Sequence, residues 1–167
     1  MPADCIIVAD SARARFFLLR RPEYPELESG PDLMEWRDLV NPEAESHGAE
    51  RWSEARAGAN RGGNGGVHAY DDHRRSHLAM SEKRFARNIA QEAARLVREG
   101  GAREFVVVAQ QRTLGLLREA LGAVLDGQVR IRQLAKDLSR LEPRQIHAHL
   151  ARERLVPRRR PPRGALH

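Results

Sequence analysis

The apolar run FVVVA at residues 105–109 is the feature of this sequence that most restricts its fold. It stands between two segments whose apolar residues recur at helical spacing, from Leu78 to Val97 before it and from Leu114 to Val124 after it. Such a run is typical of a strand that is buried on both faces of a sheet. Strands that are joined through helices usually lie parallel, so the sequence predicts an α/β fold with helices packed against a sheet.

The other predicted elements complete a mixed sheet. Apolar runs at residues 5–9 and 14–19 flank the turn residues Asp10 and Ser11 and indicate an antiparallel hairpin, and residues 32–40 predict a third strand. Residues 128–134 alternate as another strand, and Pro143 stands early in a third helix. The prediction is a mixed β-sheet of about five strands with three helices. Ser76 or Ser81 is expected near the start of the first helix, and Gly100 with Gly101 at its end.

The length of 167 residues suits one domain. We assign residues 1–155 to it and expect residues 41–72, which lack an apolar period, to form a long flexible insertion. Residues 156–167 are rich in Pro and Arg and are expected to be a disordered basic tail. Six arginines and one glutamate between residues 152 and 167 account for five of the six net positive charges. An anionic partner is therefore expected to meet this end of the chain.

Signatures of common enzymes are missing from the sequence, including GxSxG, HExxH and the phosphate loop. Asp71 and Asp72 stand beside His68, His73 and His77, but a metal site needs three or four converging ligands, so we expect neither a metal nor another cofactor. The lone Cys5 lies in a predicted strand and is expected to be a small buried hydrophobic residue. No apolar run approaches the roughly 20 residues that span a bilayer, which predicts a cytoplasmic protein without membrane contact.

Five blocks of sequence resemble, in order, those of the host-attachment protein family: IIVADSARARFFLL, DLVNPEA, EKRFARNIAQEAARLV, FVVVAQQRTLGLLREALG and KDLSRLEPRQIHAHL. They span roughly residues 5–150. The family is similar to a bacterial branch of the archaeo-eukaryotic release factors, which implies the fold of the release-factor middle domain. That domain carries a GGQ loop before a long helix, and the loop promotes attack of water on peptidyl-tRNA.

The matching triplet in this chain is Gly62, Gly63 and Asn64, preceded by Arg61. The resemblance implies that the two glycines allow a close backbone approach and that Asn64 positions the water. Asparagine is one methylene shorter than the glutamine of the release factors, and an error of about 1 Å in position can lower a rate about 100-fold.

Phosphate contacts are expected from arginines in three parts of the chain: Arg61, Arg112, Arg158, Arg159, Arg160 and Arg163. The leading interpretation is a non-enzymatic cytoplasmic factor, associated with the ribosome or another structured RNA, with an indirect role in attachment to host cells. The alternatives are a ribosome-rescue peptidyl-tRNA hydrolase that uses residues 62–64, and a protein-interaction module whose long loop orders on a partner. The sequence leaves the oligomeric state open.

Overall fold

The computed structural model describes residues 4–44 and 67–165. Within these residues, five strands form one sheet: β1 (Asp4–Ala9), β2 (Arg13–Arg20), β3 (Asp32–Val40), β4 (Glu104–Ala109) and β5 (Arg130–Ala135). Their order across the sheet is β3-β2-β1-β4-β5. The β1–β2 and β2–β3 pairs are antiparallel, while β4 is parallel to both β1 and β5. The predicted mixed α/β sheet with an N-terminal hairpin is confirmed.

Helices cover both faces of this sheet. They are α1 (Val67–Gly100), α2 (Gln111–Val124) and α3 (Pro143–Arg152). On one face, Phe105 and Val107 of β4 pack in a core with residues of α1 and α2. On the other face, Val106 and Val108 pack in a second core with residues of α3. Successive side chains of a strand point to opposite faces, which explains why the whole FVVVA run is apolar.

The first helix is longer than its sequence pattern predicts. Within the described residues it begins at Val67, so Ser76 and Ser81 lie inside the helix and the predicted start is wrong. The side chains at residues 69–77 are exposed except for the half-buried Arg74, and an exposed helical segment has no apolar period to reveal it. The last six residues of the predicted 41–72 insertion therefore belong to α1, and residues 45–66 lie outside the described residues.

The C-terminal segment is also ordered where disorder was predicted. We name residues 156–165 the C-terminal strap. Val156 is only 6% exposed and belongs to the second core. Arg160 exchanges two backbone hydrogen bonds with Gly30, and the N–H groups of Arg163 and Gly164 donate to the carbonyls of Pro25 and Glu26. The prediction of disorder relied on low apolar content, but backbone hydrogen bonds anchor this segment instead.

Candidate nucleic-acid interface

The strap lies against the β2–β3 connection (residues 21–31), and both segments are rich in proline. The connection contains Pro22, Pro25 and Pro31, and the strap contains Pro157, Pro161 and Pro162. A proline ring fixes φ, so each segment has few alternative conformations. The two segments therefore meet as stiff walls, joined by the backbone hydrogen bonds described above.

One glycine permits this close approach of the strap, and another lets the connection fold back on itself. A Cβ atom added to Gly164 would lie 2.9 Å from the carbonyl oxygen of Glu26, and one added to Gly30 would lie 2.8 Å from Cδ of Pro22. Real Cβ atoms essentially never come so close to their neighbours. The absence of a side chain at Gly164 thus lets the strap dock against the Glu26 carbonyl.

Between the two walls lies a groove of about 660 Å³. Four arginines line it, Arg21 from the connection and Arg158, Arg160 and Arg163 from the strap, and we name it the arginine groove. Among the described residues, none of these four guanidinium groups has a hydrogen-bond or ion-pair partner. Each is exposed or at the edge of the groove, so its donors are available to a ligand.

The acidic residue that lines the groove, Glu28, offsets one positive charge. Its Oε2 accepts hydrogen bonds from the backbone N–H groups of Glu23 at 3.1 Å and Tyr24 at 3.4 Å. The carboxylate thus stabilises the turn of the connection and forms no ion pair with the groove arginines within the described residues. The groove keeps a surplus of positive charge, which favours an anionic ligand.

Arg159 and His147 position the strap instead of lining the groove. The Nε–H of Arg159 donates to Oδ1 of Asp32 at 2.7 Å, because in an extended segment it points away from its neighbours Arg158 and Arg160. The buried ring of His147 in α3 lies with Nε2 2.9 Å from the carbonyl oxygen of Pro157. These two contacts hold the strap where the groove arginines can converge.

The predicted anion contact at Arg112 does not belong to this groove. Arg112 stands at the start of α2 and pairs with Glu82 of α1, with 3.1 Å between Nη2 and Oε2. Arg61, Gly62, Gly63 and Asn64 lie outside the described residues, and their roles stay predictions. Of the six predicted RNA-binding arginines, the structure thus brings together Arg158, Arg160 and Arg163.

The crevice that usually binds ligands in α/β folds is nearly filled in this protein. Such ligands bind beyond the carboxyl ends of the strands, here beside Asp10 at the end of β1 and Thr113 after β4. The cavity between these residues and Glu82 measures about 10 Å³, which is room for about one water molecule. The arginine groove is therefore the better candidate site.

Neither histidine nor cysteine chemistry provides a competing site among the described residues. The rings of His73 and His77 lie 5.4 Å apart on α1, but this part of the chain contains no group of three or more residues placed to hold a metal ion. Cys5 is fully buried, as predicted, and burial raises its pKa to about 12. Its thiol is therefore protonated at neutral pH and is a poor nucleophile.

Sequence reasoning missed Arg21. It follows β2, far along the chain from the strap, and no local pattern connects the two segments. The signal that could have found it is compositional, since both walls of the groove are proline-rich segments that carry arginine.

Comparison with known proteins gives a family match. The model of a family described as "Protein required for attachment to host cells" matches residues 5–150, which is most of the chain. No curated protein sequence matches. None of the helices in the described ranges is long and apolar enough to cross a membrane.

Proposed function

The chain belongs to the family of proteins required for attachment to host cells, and from that premise we propose that it is a non-enzymatic, RNA-associated factor that binds RNA in its arginine groove. The observation that carries the proposal is that four arginines, unpaired among the described residues, line one groove between two stiff walls. Phosphate, like carboxylate, is an anion that the planar donor fork of arginine binds bidentately.

The arrangement of the groove favours a polyanionic chain over a single small anion. Its arginines come from two segments and line a cavity of about 660 Å³, which has room for more than one phosphate group. Each phosphate that is neutralised releases counterions, which supplies affinity without sequence preference. The fixed proline backbones lower the entropy cost of ordering these contacts.

An exposed aromatic ring on the same connection supports single-stranded RNA. Tyr24 is 58% exposed and lies between Pro22 and Pro25, both of which line the groove. Proteins that bind single strands combine a positively charged groove with aromatic side chains on which bases stack. A base next to a phosphate held by Arg21 has such a ring within the same short segment.

The resemblance to release factors makes the ribosome the RNA partner that we expect first. Because an RNA-bound factor works inside the cell, we propose that the protein is cytoplasmic. Its role in attachment is then indirect, through the expression of other proteins. Fractionation of intact cells tests this part, and recovery of the protein from the outer surface would contradict it.

The direct experiment is ultraviolet crosslinking in cells, followed by identification of bound RNA and protein. The groove variant replaces Arg21, Arg158, Arg160 and Arg163 with Gln. A control variant with the same loss of charge replaces Arg87, Arg95, Arg98 and Arg118, which lie on α1 and α2. We expect RNA from the native protein and the control, and a strong reduction with the groove variant. Equal RNA recovery from all three, or recovery of a protein partner without RNA, would refute the proposal.

A further inference from the structure

A second cavity of about 410 Å³ adjoins the arginine groove, with Pro157 and Arg158 lining both. Two further arginines line it, Arg132 of β5 and Arg154 just after α3. We name it the three-arginine pocket. The rest of its lining is apolar, and among the described residues no acidic side chain lines it. The pocket is open to solvent.

Arg154 occupies a backbone position that normally belongs to glycine. Its φ is 59°, in the left-handed region. The Leu155 N–H donates to the carbonyl of Leu150 at 2.9 Å, and the Arg154 N–H donates to that of Ala151 at 3.1 Å. This is the Schellman pattern, in which the left-handed residue at the end of a helix is usually glycine.

A side chain with a Cβ atom is disfavoured at such a position, and left-handed non-glycine residues concentrate at functional sites. Arg152, in the last turn of α3, already supplies the positive charge that favours a helix end. Neither the backbone conformation nor the charge at the helix end therefore requires an arginine at position 154. Within the described residues the guanidinium of Arg154 has no hydrogen-bond or ion-pair partner.

Arg132 gives an independent indication of an anion site. Its Nε is buried and lacks a hydrogen-bond acceptor among the described residues. The nearest acid, Glu104, lies 3.7 Å from Nη2 of Arg132 and equally far from Nη1 of Arg130, so one carboxylate is shared between two arginines. A buried donor without an acceptor is costly, so the fold does not fully satisfy this guanidinium group. The Arg132 side chain is 29% exposed, and its other donors are the ones that an anion in the pocket would meet.

The acid beside Arg154 in sequence is already neutralised. Glu153 pairs with Lys136, with 3.0 Å between Oε1 and Nζ. Arg158 is exposed and, in the described part of the chain, unpaired. The three guanidinium groups around the pocket therefore keep most of their charge uncompensated.

We propose that the three-arginine pocket binds a phosphomonoester dianion, with Arg132, Arg154 and Arg158 as its donors. A phosphomonoester carries a charge of about −1.5 to −2 near neutral pH, whereas an internal phosphodiester carries one negative charge. Three arginines that line one pocket therefore favour the terminal group over the internal one. The ligand is either the 5′-terminal phosphate of an RNA whose chain continues into the arginine groove or a free nucleoside monophosphate.

The first of these sources rests on the proposed RNA function, while the pocket itself does not. The test uses the full chain and two pairs of probes: one oligoribonucleotide with a 5′-phosphate or a 5′-hydroxyl, and AMP or adenosine. The test variant is Arg154→Gly, because glycine suits φ 59° and removes the guanidinium without harming the backbone. The control is Arg152→Gln, which removes the same charge two residues away and does not line the pocket.

We expect the native protein and the control to bind the phosphorylated member of at least one pair about tenfold more tightly, since a charged hydrogen bond is lost without it. Arg154→Gly is expected to reduce that preference, since two of the three donors remain, while its unfolding transition stays at or above the native one. An unchanged preference in this variant would contradict the role of Arg154. A preference within the RNA pair identifies the terminal phosphate, and one confined to AMP identifies the free nucleotide. Equal binding of both members in both pairs would refute the proposal that the pocket binds a phosphomonoester. Absence of any RNA binding would refute the proposed function alone.

Discussion

Arg160 and Gly30 form an isolated antiparallel bridge, with the Gly30 N–H 3.0 Å from the carbonyl of Arg160 and the Arg160 N–H 2.8 Å from that of Gly30. Together with the hydrogen bonds from Arg163 and Gly164, this pair joins the strap to the β2–β3 connection. It brings Arg158, Arg160 and Arg163 to the same groove as Arg21. The basic residues near the end of the sequence are thereby held on one surface of the fold.

Docking of the strap depends on the absence of a side chain at Gly164. We expect Gly164→Ala to destabilise the protein by about 1 to 3 kcal/mol, because its Cβ would press against the Glu26 carbonyl. Trypsin should then cleave faster at the strap arginines. The matched control is Gly115→Ala in α2, where the added Cβ meets nothing within 4 Å, and it should stabilise by about 0.5 to 1 kcal/mol. Equal effects of the two substitutions in urea unfolding would show that the strap is not docked this way.

Glu35 gives the stability a dependence on pH. Hydrogen bonds from Arg15 lower the pKa of Glu35 below its ordinary value of 4.5. A lowered pKa in the folded state means that this stabilisation is present above about pH 4.5 and is lost as the pH falls through the folded value. Glu35→Gln should therefore be less stable than the native protein near pH 7, with the difference shrinking as the pH falls below 4.5. A difference that stays constant with pH in urea unfolding would remove Glu35 as the cause.

Asn41 connects three elements at the end of β3. Its Nδ2 donates to the carbonyl of Ser11 and to Oγ of Ser81, both at 3.1 Å, and its own N–H donates to the carbonyl of Ala12 at 2.7 Å. We expect Asn41→Ala to cost about 1 to 3 kcal/mol, since it leaves buried groups without partners. Ser81→Ala should cost less, and a double-mutant cycle should give a coupling above about 0.5 kcal/mol. Strict additivity would mean that the two side chains do not interact.

The central strands of this fold were predictable because a strand that is buried on both faces appears in the sequence as an uninterrupted apolar run. Residues 105–109 are apolar throughout, and the structure buries them between two cores. The first turns of α1 show no apolar pattern in the sequence because their side chains are exposed. Apolar residues recur at helical spacing only where a helix packs against other elements, so an unpacked helix cannot be recognised from this pattern.

Pairing between distant segments was harder to predict than the elements themselves. Arg15 falls in a predicted apolar strand, yet it is only 7% exposed and bonded to Glu35 and to the carbonyls of Ser139 and Leu141. The strap was missed for the same reason, since its partners are backbone groups that composition does not reveal. The candidate site was thus half predicted: its strap arginines were named, and Arg21 and the groove were not.

The salt dependence of RNA binding tests the central claim most directly. Binding of a single-stranded oligoribonucleotide is measured by fluorescence anisotropy between about 50 and 200 mM salt, and the slope of log affinity against log salt is compared among proteins. Each phosphate contact on a single strand contributes about 0.7 to that slope, so replacing Arg21, Arg158, Arg160 and Arg163 with Gln should reduce its magnitude by about 3. The control variant at Arg87, Arg95, Arg98 and Arg118 should keep the native slope. A slope that the groove variant leaves unchanged would contradict the claim that the strap and the β2–β3 connection form the RNA-binding surface.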